Sequence, residues 1–244
     1  MSQTGRTLIG VDAGATHTTA AVADANGTVL VRAEGGPGAV RPGGAAAAAE
    51  RIRATCADAL GKAFREVRGD VLVVGAAGAG REEERLALEA ALEATGLAPH
   101  VHVTTDGAIA LQSAFGDAAG IVLIAGTGSI AWARLPGGEM ARVGGLGAVL
   151  GDPGSGYDLG RAALRAVGPA LEGRGPRSAL ADALLHRLHL GGLDELVRWA
   201  ATADVPTVAA LAADVLAAAA DGDGVANSIA DAGADELARH VGAL

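Results

Sequence analysis

A single cysteine, Cys56, in 244 residues excludes a disulfide within the chain and gives no reason to expect secretion. Aromatic residues make up only 2% of the sequence, so Leu, Val, Ile and Ala must fill the core by close packing of thin side chains. Basic residues are outnumbered, 19 Lys and Arg against 28 Asp and Glu, and the formal charge of −9 argues against non-specific binding to nucleic acid or to an acidic membrane. Long apolar runs are missing too. "GIVLIAG" is far too short to span a bilayer, and "MSQTGRTLIG" has no apolar stretch of the kind a signal peptide carries. The expectation is a soluble cytoplasmic protein. No Gly-Lys-Ser/Thr occurs, which excludes a P-loop.

Glycine is what the chain has in quantity, 38 residues, and it falls at the ends of apolar runs. Residues 7–12, 19–24 and 28–33 read as three short strands, with Asn26-Gly27 as a hairpin turn between the last two. From Ala45 to about Arg68, Ile52, Cys56, Ala59, Leu60 and Ala63 recur on one helical face. "DVLVVGAAGAG" is a buried strand entering a glycine loop, and "REEERLALEAALEATG" is a helix with acids in its first turn and Gly96 at its end. A strand to about Thr104 is followed by a helix from near Asp106 to about Phe115. "GIVLIAG", "SIAWARL" and "EMARVGG" form a second meander, and from Ser155 onward the chain reads as helical. The two meanders amount to a repeat in which residues 12–16 correspond to residues 125–129, and a domain boundary is placed near 116–120.

Each meander opens on a loop of small residues where backbone N–H groups can approach an anion. Asp12-Ala13-Gly14-Ala15-Thr16 and Ala125-Gly126-Thr127-Gly128-Ser129 are each readable as plain hairpin turns, but two in equivalent positions suggest a polyphosphate held from two sides. Strand rather than helix follows each loop, which excludes a dinucleotide fingerprint. Asp12, at the end of the first strand, suits a hydrated Mg²⁺, or alternatively caps its own turn. Asp106, at a helix start, is either an N-cap or a general base, with Thr104 and Thr105 as alternative caps. Asp152 sits in the glycine-rich "GDPGSGYDLG", where it is a ligand contact or a turn residue before Pro153, and Asp158 reads as solvated.

"IGVDAGATHTTAAVAD", "VTTDGAIAL", "GIVLIAGTGS" and "GGLGAVLGDPGSGYDLGRAAL" resemble, in order, the motifs of the N-acetylglucosamine kinase and BadF/BadG-type ATPase family of the actin-like sugar kinase superfamily. The resemblance covers roughly residues 7–165, with an echo at "AAADGDGVANSIADAGADELA". It implies an α/β protein of two actin-like (ribonuclease H-like) domains with a cleft between them. These are residues 1–117 with the first phosphate loop, and residues 118–244 with the second loop and a helical segment. It implies ATP and Mg²⁺ as cofactors. Gly14, Ala15, Thr16, Gly126, Thr127 and Gly128 would hold the phosphates, Asp12 the metal and Asp106 the attacking hydroxyl, while Ser129, Gly145 and Asp152 would line the sugar site with Asp106. The reaction implied is phosphorylation of an amino sugar or hexose, N-acetylglucosamine or glucosamine first among them, with a homodimer compatible with the family.

Two departures qualify that expectation. Ala39 stands where relatives acting on amino sugars carry an asparagine, and the second domain reads as truncated at its C-terminus, since the family continues with a further strand, a Gly-Gly turn and a closing helix. The rivals are therefore a sugar-sensing relative with impaired catalysis and an ATPase acting on a protein partner. The lone Cys56 counts against the branch of the family that holds an iron–sulfur cluster. His186 and His189, three apart on a helix, lack companion ligands for zinc, and Trp132 and Trp199 read as packing residues.

Overall fold

The computed structural model of the chain describes residues 6–64 and 68–244, which divide between two compact units, Met1–Gly116 and Asp117–Leu244. The first unit is built on strands β1 (Leu8–Ala13), β2 (Thr18–Ala23), β3 (Val29–Gly35), β4 (Val71–Ala76) and β5 (His100–Thr105). They form one five-stranded sheet in the order β3-β2-β1-β4-β5. The first three strands are an antiparallel meander, and β1, β4 and β5 run parallel. Asp24 closes the β2–β3 hairpin by accepting from the Asn26 and Thr28 amides, and Gly27 takes the positive φ of 82° that the sequence reading of Asn-Gly requires.

Alternation decides the faces of this sheet. Ile9, Val11 and Ala13 of β1 are buried with Leu72, Val74 and Ala76 of β4, Val22 of β2 and Val103 of β5. Helices α1 (Ala45–Phe64) and α2 (Glu82–Glu93) complete that core with Ile52, Cys56, Leu60, Leu88 and Leu92. The sequence expectation ran α1 on to Arg68, but Arg68 is not helical, and residues 65–67 lie outside the described residues. Burial pushes the Cys56 thiol up to about 12, in keeping with its reading as a core residue. Helix α3 (Asp106–Phe115) lies on the other face, where Ile109 packs over β4. Gly75 permits this contact, because a Cβ there would collide with the Ile109 side chain.

The second unit opens with the antiparallel sheet β6 (Gly120–Ala125), β7 (Ser129–Arg134) and β8 (Met140–Gly144), in that order. Six helices follow among the described residues: α4 (Gly156–Leu171), α5 (Ala179–Leu188), α6 (Leu193–Ala200), α7 (Val205–Ala209), α8 (Ala212–Ala220) and α9 (Gly224–Gly242). Four of these starts, those of α4, α5, α7 and α9, are set by side-chain caps at Ser155, Ser178, Asp204 and Asp223, and Asp223 also accepts from Ser178 Oγ and the Ala179 amide, which ties the start of α9 to that of α5. A second core of Ala163, Val167, Leu180, Leu184, Leu196, Leu211 and Val215 joins α4, α5, α6 and α8. No single helix among the described residues is long and apolar enough to cross a membrane.

Helix α4 approaches α7 closely because residue 160 is glycine, and a Cβ there would collide with the Val208 carbonyl. Gly160→Ala is therefore expected to destabilise the second unit by about 1–3 kcal/mol, since a backbone contact cannot yield as a side chain can. Urea unfolding checks this, and an unchanged midpoint would show that α4 and α7 can separate without cost.

Candidate active site

Asp12 lies one residue from the end of β1, and Asp106 directly follows β5. Both thus stand at the carboxyl ends of parallel strands, the usual place for ligands in α/β sheets. In β1 the inward positions are Ile9, Val11 and Ala13, so Asp12 falls on the opposite face, exposed and opposite Gly75 of β4. Asp106 feels the charge of Asp12. Burial pushes the Asp106 carboxyl above the usual carboxylate range, the Gly107 amide pulls it partly back, and the negative charge of Asp12 pushes it further up.

The cap of α3 is Thr105, whose Oγ1 accepts from the Ala108 amide at 3.0 Å. The alternative reading of Asp106 as an N-cap is thereby corrected: a threonine hydroxyl one residue earlier does that work. The Asp106 carboxylate accepts from the adjacent Gly107 amide at 2.8 Å and interacts with its own backbone amide, which leaves accepting capacity for a substrate hydroxyl.

The first glycine loop turns tightly, with the Gly14 amide donating to the His17 carbonyl at 2.9 Å. Ala15, Thr16 and His17 are exposed, and Thr16 Oγ1 is 3.1 Å from His17 Nδ1. In the second loop the Gly126 amide donates to the Gly128 carbonyl at 2.9 Å. Among the described residues, the amides of Ala15, Thr16, Thr127 and Gly128 have no protein acceptor. Each unit therefore carries a turn of small residues with adjacent free N–H groups, which is the chemistry of an anion nest.

Behind the second loop, α4 is pinned to it: the Gly156 amide donates to the Gly126 carbonyl at 2.7 Å and the Tyr157 amide to the Thr127 carbonyl at 3.3 Å. Asp152 lies against the loop. Its Oδ1 accepts from the Gly147 amide at 2.9 Å, and its Oδ2 occupies the space that a Cβ on Gly128 would need. Ser129 is buried, its hydroxyl donating to the Pro153 carbonyl at 2.8 Å, and its own carbonyl accepts from the Gly145 amide at 2.8 Å. The structure thus brings Gly126, Thr127, Gly128, Ser129, Gly145 and Asp152 close together, Asp152 by packing against Gly128 and with the Ser129 hydroxyl directed to backbone. Asp158 is corrected from a solvated residue to a half-buried one. Its amide donates to Ser155 Oγ, and its Oδ2 accepts from the Gly154 amide at 3.0 Å, which closes the turn that carries Asp152.

Thr18 and Gly38 were not singled out in the sequence. Thr18 is fully buried and donates to the Gly36 carbonyl at 2.7 Å, and a Cβ on Gly38 would collide with its hydroxyl oxygen. The run of three hydroxyl and imidazole residues after Gly14, "THT", was the available signal. His186 and His189 are exposed, and no group of three or more ligating His, Cys, Asp or Glu gathers among the described residues.

The BadF/BadG/BcrA/BcrD ATPase family matches the chain across residues 9–244. The chain is 30% identical over 233 residues to the N-acetylmuramic acid/N-acetylglucosamine kinase of Clostridium acetobutylicum, covering 94% of this chain and 76% of that protein. It is 32% identical over 206 residues to the N-acetyl-D-glucosamine kinase of Dictyostelium discoideum, covering 79% of this chain and 64% of that protein, just under two thirds of its length. A candidate N-acetylglucosamine kinase from Chromobacterium violaceum, known by its crystal structure, matches at a TM-score of 0.86 and 30% identity, over 98% of this chain and 82% of that one. By fold, by sequence over nearly its whole length, and by the ordered motifs at 12–16, 104–106, 125–129 and 144–160, this chain belongs to the BadF/BadG/BcrA/BcrD ATPase family.

Proposed function

We propose that the chain transfers the γ-phosphoryl group of Mg-ATP to a hydroxyl of an amino sugar, in the cytoplasm, with N-acetylglucosamine as the first acceptor to test. The observation that carries this reading is Asp106: a half-buried carboxylate pushed toward higher proton affinity, released from capping by Thr105, and placed beside Asp12 at the strand ends. Phosphoryl transfer asks a protein for positioning and charge stabilisation rather than for covalent chemistry. Free amides at Ala15, Thr16, Thr127 and Gly128 supply donors for phosphate oxygens. Asp12, exposed and beside the first loop, is a hard oxygen donor suited to magnesium, which takes one or two carboxylates together with phosphate oxygens and water. When bound, the ion neutralises charge developing on the phosphates. Asp106 accepts the proton of the attacking hydroxyl, and Asp152 orients the sugar through its second carboxylate oxygen. The kinases named above for Clostridium acetobutylicum and Dictyostelium discoideum support the amino-sugar class.

The test is release of ADP from Mg-ATP in the presence of N-acetylglucosamine, N-acetylmuramic acid, glucosamine, glucose or no sugar. The expected result is release that depends on sugar and is largest with an N-acetylated one. Release that is equal without sugar would replace this reading with an ATPase acting on another partner, and sugar binding without release would replace it with a sensor.

A further inference from the structure

Helices α4 and α9 pack together where residue 233 is glycine, since a Cβ there would meet the Leu159 side chain at 2.9 Å. Beside that contact, Ala162 of α4 and Val225, Ile229 and Ala232 of α9 line a groove of about 750 Å³. Its volume is that of a small-molecule site, roughly 300–1,000 Å³. None of the residues assigned above to phosphate or sugar lines it. Pro176 and Arg177 complete the lining, and the chain directly after Arg177 is clamped to the start of α9. Asp223 makes that clamp, accepting from Ser178 Oγ at 2.9 Å and from the Ala179 amide at 2.7 Å.

Three charged side chains line the groove, Asp158, Arg177 and Glu236, and the two acids are already matched. Asp158 pairs with Arg161 at 3.4 Å and accepts from the Gly154 amide, while Glu236 pairs with Arg239. Ser228, also in the lining, donates its hydroxyl to the Gly224 carbonyl at 2.8 Å. Arg177 is exposed and has no hydrogen-bond or ion-pair partner among the described residues. The unmatched charge of the groove is therefore positive, and it stands beside an aliphatic floor.

We propose that this groove is a ligand site of the second unit, distinct from the candidate active site, and that it takes a small organic carboxylate. The apolar body of the ligand lies on Leu159, Ala162 and Ile229, and the carboxylate is held by Arg177. A guanidinium fork matches a carboxylate with two parallel hydrogen bonds, and covering the aliphatic floor adds the hydrophobic contribution. A cationic ligand would meet Arg177 with both neighbouring acids already engaged.

The experiment is calorimetric titration with 1-naphthaleneacetate and with its uncharged amide, on wild type, Arg177→Gln and Ala232→Trp. Both altered positions are exposed, so unchanged thermal midpoints report that the fold is intact. Wild type is expected to bind one equivalent of the acetate about tenfold tighter than the amide, the usual effect of a hydrogen-bonded charge. Arg177→Gln should lower the acetate to the affinity of the amide and leave the amide unchanged. Ala232→Trp, which fills the groove, should abolish binding of both. Should the tryptophan lower the midpoint, Ala232→Glu takes its place, and its added negative charge should weaken the acetate but not the amide. No saturable binding by wild type, equal binding of acetate and amide, or an acetate affinity indifferent to either position overturns the proposal.

Discussion

Asp106→Asn is expected to lower kcat by a factor of about 10³ while leaving sugar affinity within a few-fold, in line with the loss of a positioned general base. Asparagine preserves the size of the side chain and a carbonyl oxygen for the Gly107 amide, so α3 and its Thr105 cap remain. The proton acceptor alone is removed. The same variant should be more stable than wild type at neutral pH, and the sign follows from the direction of the shift. The folded protein holds the Asp106 carboxyl above its ordinary range, first through burial and then through Asp12. Protonated Asp106 is thus favoured by folding, and the associated stability is present at pH below the ordinary carboxylate range and is lost as pH rises through the folded value. Asparagine never ionises and does not suffer that loss. Thermal midpoints of the ligand-free protein across pH 3–8 should diverge in favour of the variant as pH rises, while kcat/KM of wild type falls on the acid side at a pH above that of an ordinary aspartate. Turnover retained by Asp106→Asn, or midpoints that run parallel at all pH, would remove Asp106 from the role assigned to it.

The second large effect concerns Asp152 and Gly128 as a pair. Asp152→Ala should raise the KM for sugar by about tenfold to a hundredfold, the cost of losing a hydrogen bond to a charged acceptor. Gly128→Ala should reproduce much of that rise without touching Asp152 in sequence, because the new methyl group claims the space 2.5 Å from Asp152 Oδ2 and drives the carboxylate away from the Gly147 amide. If both act through one carboxylate, the double variant is little worse than the poorer single one, since groups in direct contact are non-additive. Strictly multiplicative penalties, measured at saturating Mg-ATP, would show that Gly128 does not act through Asp152, and an unchanged KM in Asp152→Ala would take Asp152 out of the sugar site.

Local chemistry made much of this architecture legible in advance. The Asn26-Gly27 turn, the apolar face of α1 through Ile52, Cys56 and Leu60, and the acid-rich start of α2 at Glu82, Glu83 and Glu84 are all short-range signals, and each lies where it was read. The choice among Thr104, Thr105 and Asp106 as cap was not legible, because it depends on which residue is the last in extended backbone, and that is Thr105, at φ −83° and ψ 155°. Asp158 was misread for a related reason. Its partners, Ser155 Oγ and the Gly154 amide, are close in sequence, but they face it only once the turn before α4 has closed. The anchoring of 36–40 by Thr18, Gly14 and Ala77 joins residues far apart in the chain through backbone groups that every residue shares, so no side-chain pattern announces it.

The scarcity of special residues has a practical consequence. The chain's lone thiol, Cys56, lies in the core of the first unit, while both indoles, Trp132 and Trp199, belong to the second. A thiol with a pKa pushed up to about 12 in a buried site reacts only when the structure around it opens. Labelling of Cys56 and tryptophan emission are thus two separate clocks, one for each half of the molecule. Unmodified protein can report, in a single denaturant series, whether its halves come apart together or in turn, and which of them a bound sugar or nucleotide holds closed.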